Sequence, residues 1–155
     1  MWISTKGDYA TRALQELTLL YNKGPIQVEE IAERQGLPVR YLEQILLTLK
    51  RAGYVESKRG ARGGYYLKKH PREITIGEII RLMDGPLAPI FCISEMERRQ
   101  FCTMEPRCSL RDIWFEVREA ISKIVDNTTF QDLCERVLAK QEHLRREQQA
   151  ISYHI

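Results

Sequence analysis

The sequence predicts a mainly α fold: a winged helix-turn-helix domain followed by a long C-terminal dimerisation helix. Three observations carry that expectation. Gly36-Leu37-Pro38 separates two short amphipathic segments, as a tight turn between helices requires. Two short stretches, Tyr54 to Lys58 and Tyr65 to Lys68, are joined by a run of glycine and arginine and read as a two-stranded wing. Beyond Ser109 an apolar stripe runs for about four helical turns after the preceding domain is already complete, so it needs a partner.

Taken in order, Ser4 or Thr5 can cap a first helix whose inward positions are Tyr9, Ala10, Ala13, Leu14, Leu17 and Leu20, ending at Gly24-Pro25. Asp8 falls in its first turn, where the helix dipole and Thr5 favour a carboxylate. The second helix spans about Val28 to Gln35, with Ile31 and Ala32 inward and Gly36 ending it. Pro38 starts the third, in which Leu42, Ile45, Leu46 and Leu49 make one apolar face and Gly53 closes the helix. Its opposite face carries Arg40, Tyr41, Glu43 and Gln44, side chains able to reach phosphates and base edges from a major groove. At the wing tip, Arg59 and Arg62 sit among glycines, where an arginine can enter a narrow minor groove.

Thr75-Ile76-Gly77-Glu78 reads as a capping box opening a short helix from Ile76 to about Met83. Residues 1–84 are therefore expected to form the DNA-binding domain, 85–108 a cysteine-containing loop, and 109–148 the dimerisation and C-terminal helices. In the dimerisation helix the stripe is Leu110, Ile113, Trp114, Val117, Ile121, Ile124 and Val125, with a stop near Asn127. Its expected partner is the same helix of a second copy; the alternative is that it covers its own domain. A final helix from Thr129 to about Gln148 turns Phe130, Leu133, Cys134, Val137, Leu138 and Leu144 inward.

Charge points to nucleic acid. The whole chain is only +3, yet from Pro38 to Arg72 nine Lys and Arg face two acids, Glu43 and Glu56, a local net of +7. The same scaffold with a solvated hairpin could instead serve protein contacts. Nowhere do eighteen apolar residues run together, and Met1 to Lys6 is not a basic start to an apolar run, so a cytoplasmic chain without membrane contact is expected. In a reducing compartment, Cys92, Cys102 and Cys108, separated by nine and then five residues, are candidate metal or redox ligands rather than disulfides. Cys134, on an apolar helix face, reads as a small core residue. The spacing lacks the close pairs that structural zinc favours. The three histidines, His70, His143 and His154, are scattered, and no nucleophile motif or Walker loop occurs, which argues against an enzyme.

The chain resembles the Rrf2 family of bacterial transcription regulators over nearly its whole length. The resemblance rests on Tyr9-Ala10-Thr11-Arg12-Ala13-Leu14, Tyr41-Leu42-Glu43-Gln44-Ile45-Leu46, Arg59-Gly60-Ala61-Arg62-Gly63-Gly64-Tyr65 and Thr75-Ile76-Gly77-Glu78-Ile79-Ile80, and on the cysteine loop followed by Leu110 and Trp114. It implies a homodimeric winged-helix protein that binds double-stranded DNA at a palindromic operator. It often implies an iron-sulfur cluster, [4Fe-4S] or [2Fe-2S], on three loop cysteines and a fourth ligand. Two departures stand out. Relatives with a well-described cluster usually space the cysteines five and five, whereas the first gap here is nine, and the histidine that completes the site in the cluster-assembly branch is replaced by Arg111. An arginine stays protonated and cannot ligate. The nitric-oxide-sensing branch instead takes an aspartate near the start of the first helix, from the other subunit, and Asp8 matches it. The resemblance thus implies ligands Cys92, Cys102, Cys108 and Asp8 and a redox, nitric oxide or cluster-status sensor; a cluster-free regulator sensing thiol oxidation or a sulfur metabolite fits the same head.

Overall fold

A computed structural model of the chain describes residues 3–94 and 107–152. Its elements run α1 (Thr5–Leu19), α2 (Val28–Gln35), α3 (Val39–Arg51), β1 (Val55–Lys58), β2 (Gly64–Leu67), α4 (Ile76–Asp84), α5 (Ser109–Asp126) and α6 (Phe130–Ser152). Single 3-10 turns occupy Pro71–Glu73 and Phe91–Ile93. The fold is the expected mainly α winged helix-turn-helix.

Local chemistry sets the boundaries. Ser4 caps α1, its hydroxyl accepting from the Gly7 N–H at 3.2 Å. The helix stops at Leu19, earlier than Gly24-Pro25, because Asn22 takes a left-handed turn at φ 65°, which asparagine tolerates. Gly36 closes α2 at φ 64°, ψ 39°, and the Leu37 N–H reaches back to the Ala32 carbonyl at 2.8 Å. That bond fixes the angle at which α3 leaves α2. Pro38 is the cap residue and Val39 the first helical one. The Thr75–Glu78 capping box forms as expected, with the Glu78 N–H donating to the threonine hydroxyl at 3.2 Å and the Thr75 N–H to the carboxylate at 2.9 Å.

The wing pairs antiparallel with Val55 opposite Leu67 and Lys58 opposite Gly64. It gains a third member that the alternation of residues does not announce. Ile26 exchanges both backbone bonds with Tyr65, at 2.9 and 2.7 Å. Gly64 permits this approach: it sits at φ +144°, and a Cβ there would lie 2.2 Å from the Ile26 carbonyl oxygen.

The core is built mostly from the positions read as inward, with Val55 and Ile79 added to them; Tyr9 and Leu20, also read as inward, are half-buried against it. Ala10, Ala13, Leu14, Leu17, Ile31, Leu42, Ile45, Leu46, Leu49, Val55 and Ile79 are all buried in one cluster. Glu16 is buried as well, its carboxylate accepting from Arg34 at 3.0 Å and from Gln35 at 2.9 Å, which ties α1 to α2.

The C-terminal helices divide their burial unequally. Phe130 opens α6 fully buried in the same cluster, held there by its N–H to the Ile74 carbonyl at 3.0 Å and by Ile76 N–H to the Thr128 carbonyl at 3.0 Å. Cys134 is buried, and Leu133 and Val137 are half-buried. Leu138 and Leu144, expected inward, are each 56% exposed, because α6 outruns α1 and the Pro71–Glu73 turn on which it packs. In α5 no residue is buried among the described residues. Leu110, Ile113, Trp114, Phe115 and Ile124 stand open to solvent.

Replacing Phe130 with alanine should cost about 3–5 kcal/mol, the range for a buried aromatic. Thermal unfolding followed by circular dichroism should show a fall of about 10 °C or more; an unshifted transition would place the start of α6 outside the cooperative core.

Candidate nucleic-acid interface and cysteine loop

The outward face of α3 exposes Arg40, Glu43 and Gln44. Tyr41 differs: it is half-buried, with its ring edge-to-face against Tyr9 of α1 at 5.7 Å and 69°. It therefore anchors the N-terminal end of α3 as well as offering its hydroxyl. The cationic surface next to it is partly organised. Glu56 gathers Lys50 at 3.5 Å and Lys68 at 3.9 Å, and Lys50 also donates to the Ser57 hydroxyl at 2.5 Å. The Ser57 N–H and then the Lys50 charge hold the Glu56 carboxyl below its ordinary pKa. Lys69 lies over the Tyr54 ring at 4.6 Å.

At the wing tip, Arg59 and Arg62 are exposed on a turn closed by the Gly63 N–H to the Gly60 carbonyl at 2.8 Å. Gln27, the residue before α2, donates to the Ala61 carbonyl at 3.3 Å. The tip is thus tethered to the helix-turn-helix it flanks. Two cationic features, a helix face and an arginine turn, project from one rigid unit, the geometry for meeting a major groove and an adjacent minor groove together.

The cysteines occupy the second region. Cys92 lies half-buried in the Phe91–Ile93 turn, and Arg118 of α5 donates to the Ile93 carbonyl at 2.7 Å, fixing that turn on the helix. Cys108 is half-buried at the N-cap of α5 and makes no side-chain capping bond. Both ends of the loop are thereby attached to one helix. Cys102 lies outside the described residues. Asp8 is on the first turn of α1, ion-paired with Arg12 at 3.1 Å and about half exposed, beside an open pocket that Ile3, Thr5 and Leu37 also line. Among the described residues, no three His, Cys, Asp or Glu side chains converge to hold a metal ion. Arg111 is on the first turn of α5, half-buried. Cys134 behaves as a core residue: burial, then the Glu16 charge, push its thiol up to about 11, and the sulfur donates to the Gln15 carbonyl at 3.6 Å.

Sequence reasoning missed Ile26 as a strand partner and the Tyr9–Tyr41 contact. The first is one bridge long and carries no periodicity; the second pairs residues thirty-two apart and has no local signal.

A helix-turn-helix whose wing and recognition helix share one basic surface defines a DNA-binding protein of the winged-helix class. A family model described as Rrf2, iron-dependent transcriptional regulator, matches residues 3–136. The HTH-type transcriptional regulator CymR of Bacillus subtilis is 37% identical over 142 residues, covering 92% of this chain and 96% of that protein. The structure of CymR, the global cysteine regulator of B. subtilis, superposes with a TM-score of 0.76 at 37% identity over 88% of this chain and 98% of that one. That of T. potens IscR gives 0.72 at 34% identity over 88% of each chain. The chain belongs to the Rrf2 family of transcriptional regulators. Regulators of this family bind DNA and act as dimers, and the chain is a regulator rather than an enzyme. No helix among the described residues is long and apolar enough to cross a membrane.

Two measurements check the site. Arg59→Ala should weaken operator binding by about 1–3 kcal/mol and relax sequence preference if the side chain enters a minor groove; a uniform loss over all sequences in a titration series would make it a phosphate contact. With a pKa near 11 against an ordinary 9, Cys134 should be alkylated by iodoacetamide about a hundredfold more slowly than an exposed thiol at pH 8, read by mass spectrometry of the native protein.

Proposed function

We propose that the chain is a homodimeric, sequence-specific regulator that reads a roughly palindromic operator in the cytoplasm. Its affinity is set by an iron-sulfur cluster on Cys92, Cys102 and Cys108 of one subunit and Asp8 of the partner subunit. The observation carrying this reading is the attachment of both described loop cysteines to α5, through the Arg118–Ile93 bond and the Cys108 N-cap. The apolar face of that helix is open for a second copy.

The donor set fits such a group. Two thiols are half-buried rather than sealed, and the carboxylate of Asp8 is accessible and held, among the described residues, by an exposed ion pair with Arg12. Thiolates suit iron-sulfur ligation, and one carboxylate leaves an exchangeable position. When bound, the cluster supplies sensitivity to oxidants, nitric oxide or iron loss. The chain's own residues do the rest. Arg118 and the α5 N-terminus hold the cysteine ends; α1 carries Asp8 and, one residue on, Tyr9, which braces Tyr41 on α3. A shift at Asp8 is therefore one contact away from the helix offered to DNA. With Arg40, Tyr41, Glu43 and Gln44 on α3 and Arg59 and Arg62 on the wing, a small rotation of one head costs the second half-site contact.

A second reading is a cluster-free regulator responding to thiol oxidation or a sulfur metabolite, favoured by similarity to CymR, the global cysteine regulator of B. subtilis. One experiment separates them. Anaerobically purified protein should contain iron and acid-labile sulfide and absorb in the visible, and Asp8→Ala should lose much of that absorbance with an unchanged far-ultraviolet spectrum, since an exposed ion pair contributes at most about 1 kcal/mol to folding. Iron-free protein would favour the second reading; unchanged absorbance in Asp8→Ala would remove Asp8 from the ligand set.

A further inference from the structure

The solvent face of α3 has an apolar centre. At about 100° per residue, Arg40, Leu47 and Arg51 lie about 60°, 40° and 80° round the helix from Glu43, with Gln44 at about 100°. All five are exposed, so Leu47 sits within the stripe, and along the helix axis it lies between the two arginines. Its side chain is 44% exposed, whereas the helix's core positions Leu42, Ile45, Leu46 and Leu49 are at 0–1%. Leu47 neither belongs to the core nor packs against it.

The neighbours decide what covers such a residue. Guanidinium groups at Arg40 and Arg51 select a surface bearing negative charge, and a duplex supplies it as two phosphate ridges with base edges on the floor between them. On that floor the apolar group available to a leucine is the thymine C5-methyl. Leu47 lies about 6 Å along the axis from Glu43, less than two base-pair rises, so it meets the floor beside the bases within reach of Glu43 and Gln44.

We propose that Leu47 is a specificity-determining residue that reads a thymine methyl in each half-site. This rests on the reading that α3 enters the major groove, and the test separates the two. Full-length protein purified anaerobically is used to enrich binding sites from a pool of random duplexes, and each thymine of the enriched site is then replaced singly by deoxyuridine, which lacks only the methyl. One replacement per half-site should weaken wild-type binding about fourfold, the effect of one apolar carbon removed from a contact. Leu47→Ala should bind the thymine and uracil duplexes equally, and Leu47→Met should retain the preference; both should keep the wild-type circular dichroism, because the position is outside the core. A site indifferent to every replacement, or one equally sensitive in Leu47→Ala, would overturn the assignment while leaving the groove reading intact. A pool that yields no enriched sequence would overturn both.

Discussion

An amphipathic helix that the described residues of its own chain cover on one side only is the constraint on which the rest of this structure depends: Val117, Ile121 and Val125 are half-buried, while the rest of its apolar stripe is open. Five large side chains of α5 are exposed among the described residues. At about 1.5–3 kcal/mol for each fully buried, their partial exposure forgoes on the order of 5–10 kcal/mol, comparable with the whole stability of a domain. A monomer would carry that loss together with the hazard of a sticky surface. A two-fold partner removes both and places two reading heads on one assembly, as regulators of this family require.

How α5 reaches the heads is visible in α4. At the C-terminal end of α5, Asp126 is gripped by Arg81 of α4 through two bonds, at 2.5 and 2.9 Å. One turn further on, at the C-terminal end of the same short helix, Asp84 accepts the Ser4 N–H at 2.9 Å and the Ser4 hydroxyl, just where α1 begins. The C-terminal turn of a nine-residue helix thus joins the last turn of α5 to the N-cap of the helix bearing Asp8. From there the Tyr9–Tyr41 ring contact leads to α3. These are rigid elements in direct contact, so displacement of α5 has few places to dissipate.

Much of this was legible in the residues. The apolar faces of α1, α2 and α3 follow the helical period closely enough that nearly every inward position is buried, and Gly36, Thr75 and Glu78 act through their immediate neighbours. The recognition face, exposed except at Tyr41, follows from the same periodicity, and the exposed wing arginines follow from the glycine-rich turn between the two strands. What escaped depends on distance along the chain. Leu138 and Leu144 continue a good stripe, but periodicity says only which face is apolar, not whether anything lies opposite it. Cys134 could be assigned to the core because it shares an apolar helix face with Phe130 and Leu133, and it is buried there. The proposed convergence of Asp8 with the cysteines depends on where two chains meet, which no single stretch of residues encodes.

The backbone exchange between Ile26 and Tyr65, with the Gln27 side chain holding Ala61, makes the hairpin and the second helix one solid piece. Such a protein cannot slide its two arms independently. New target sites must arise by swapping side chains on a fixed caliper, so the number of base steps between the contacts of α3 and those of the hairpin should drift far less across related regulators than the letters read at either end.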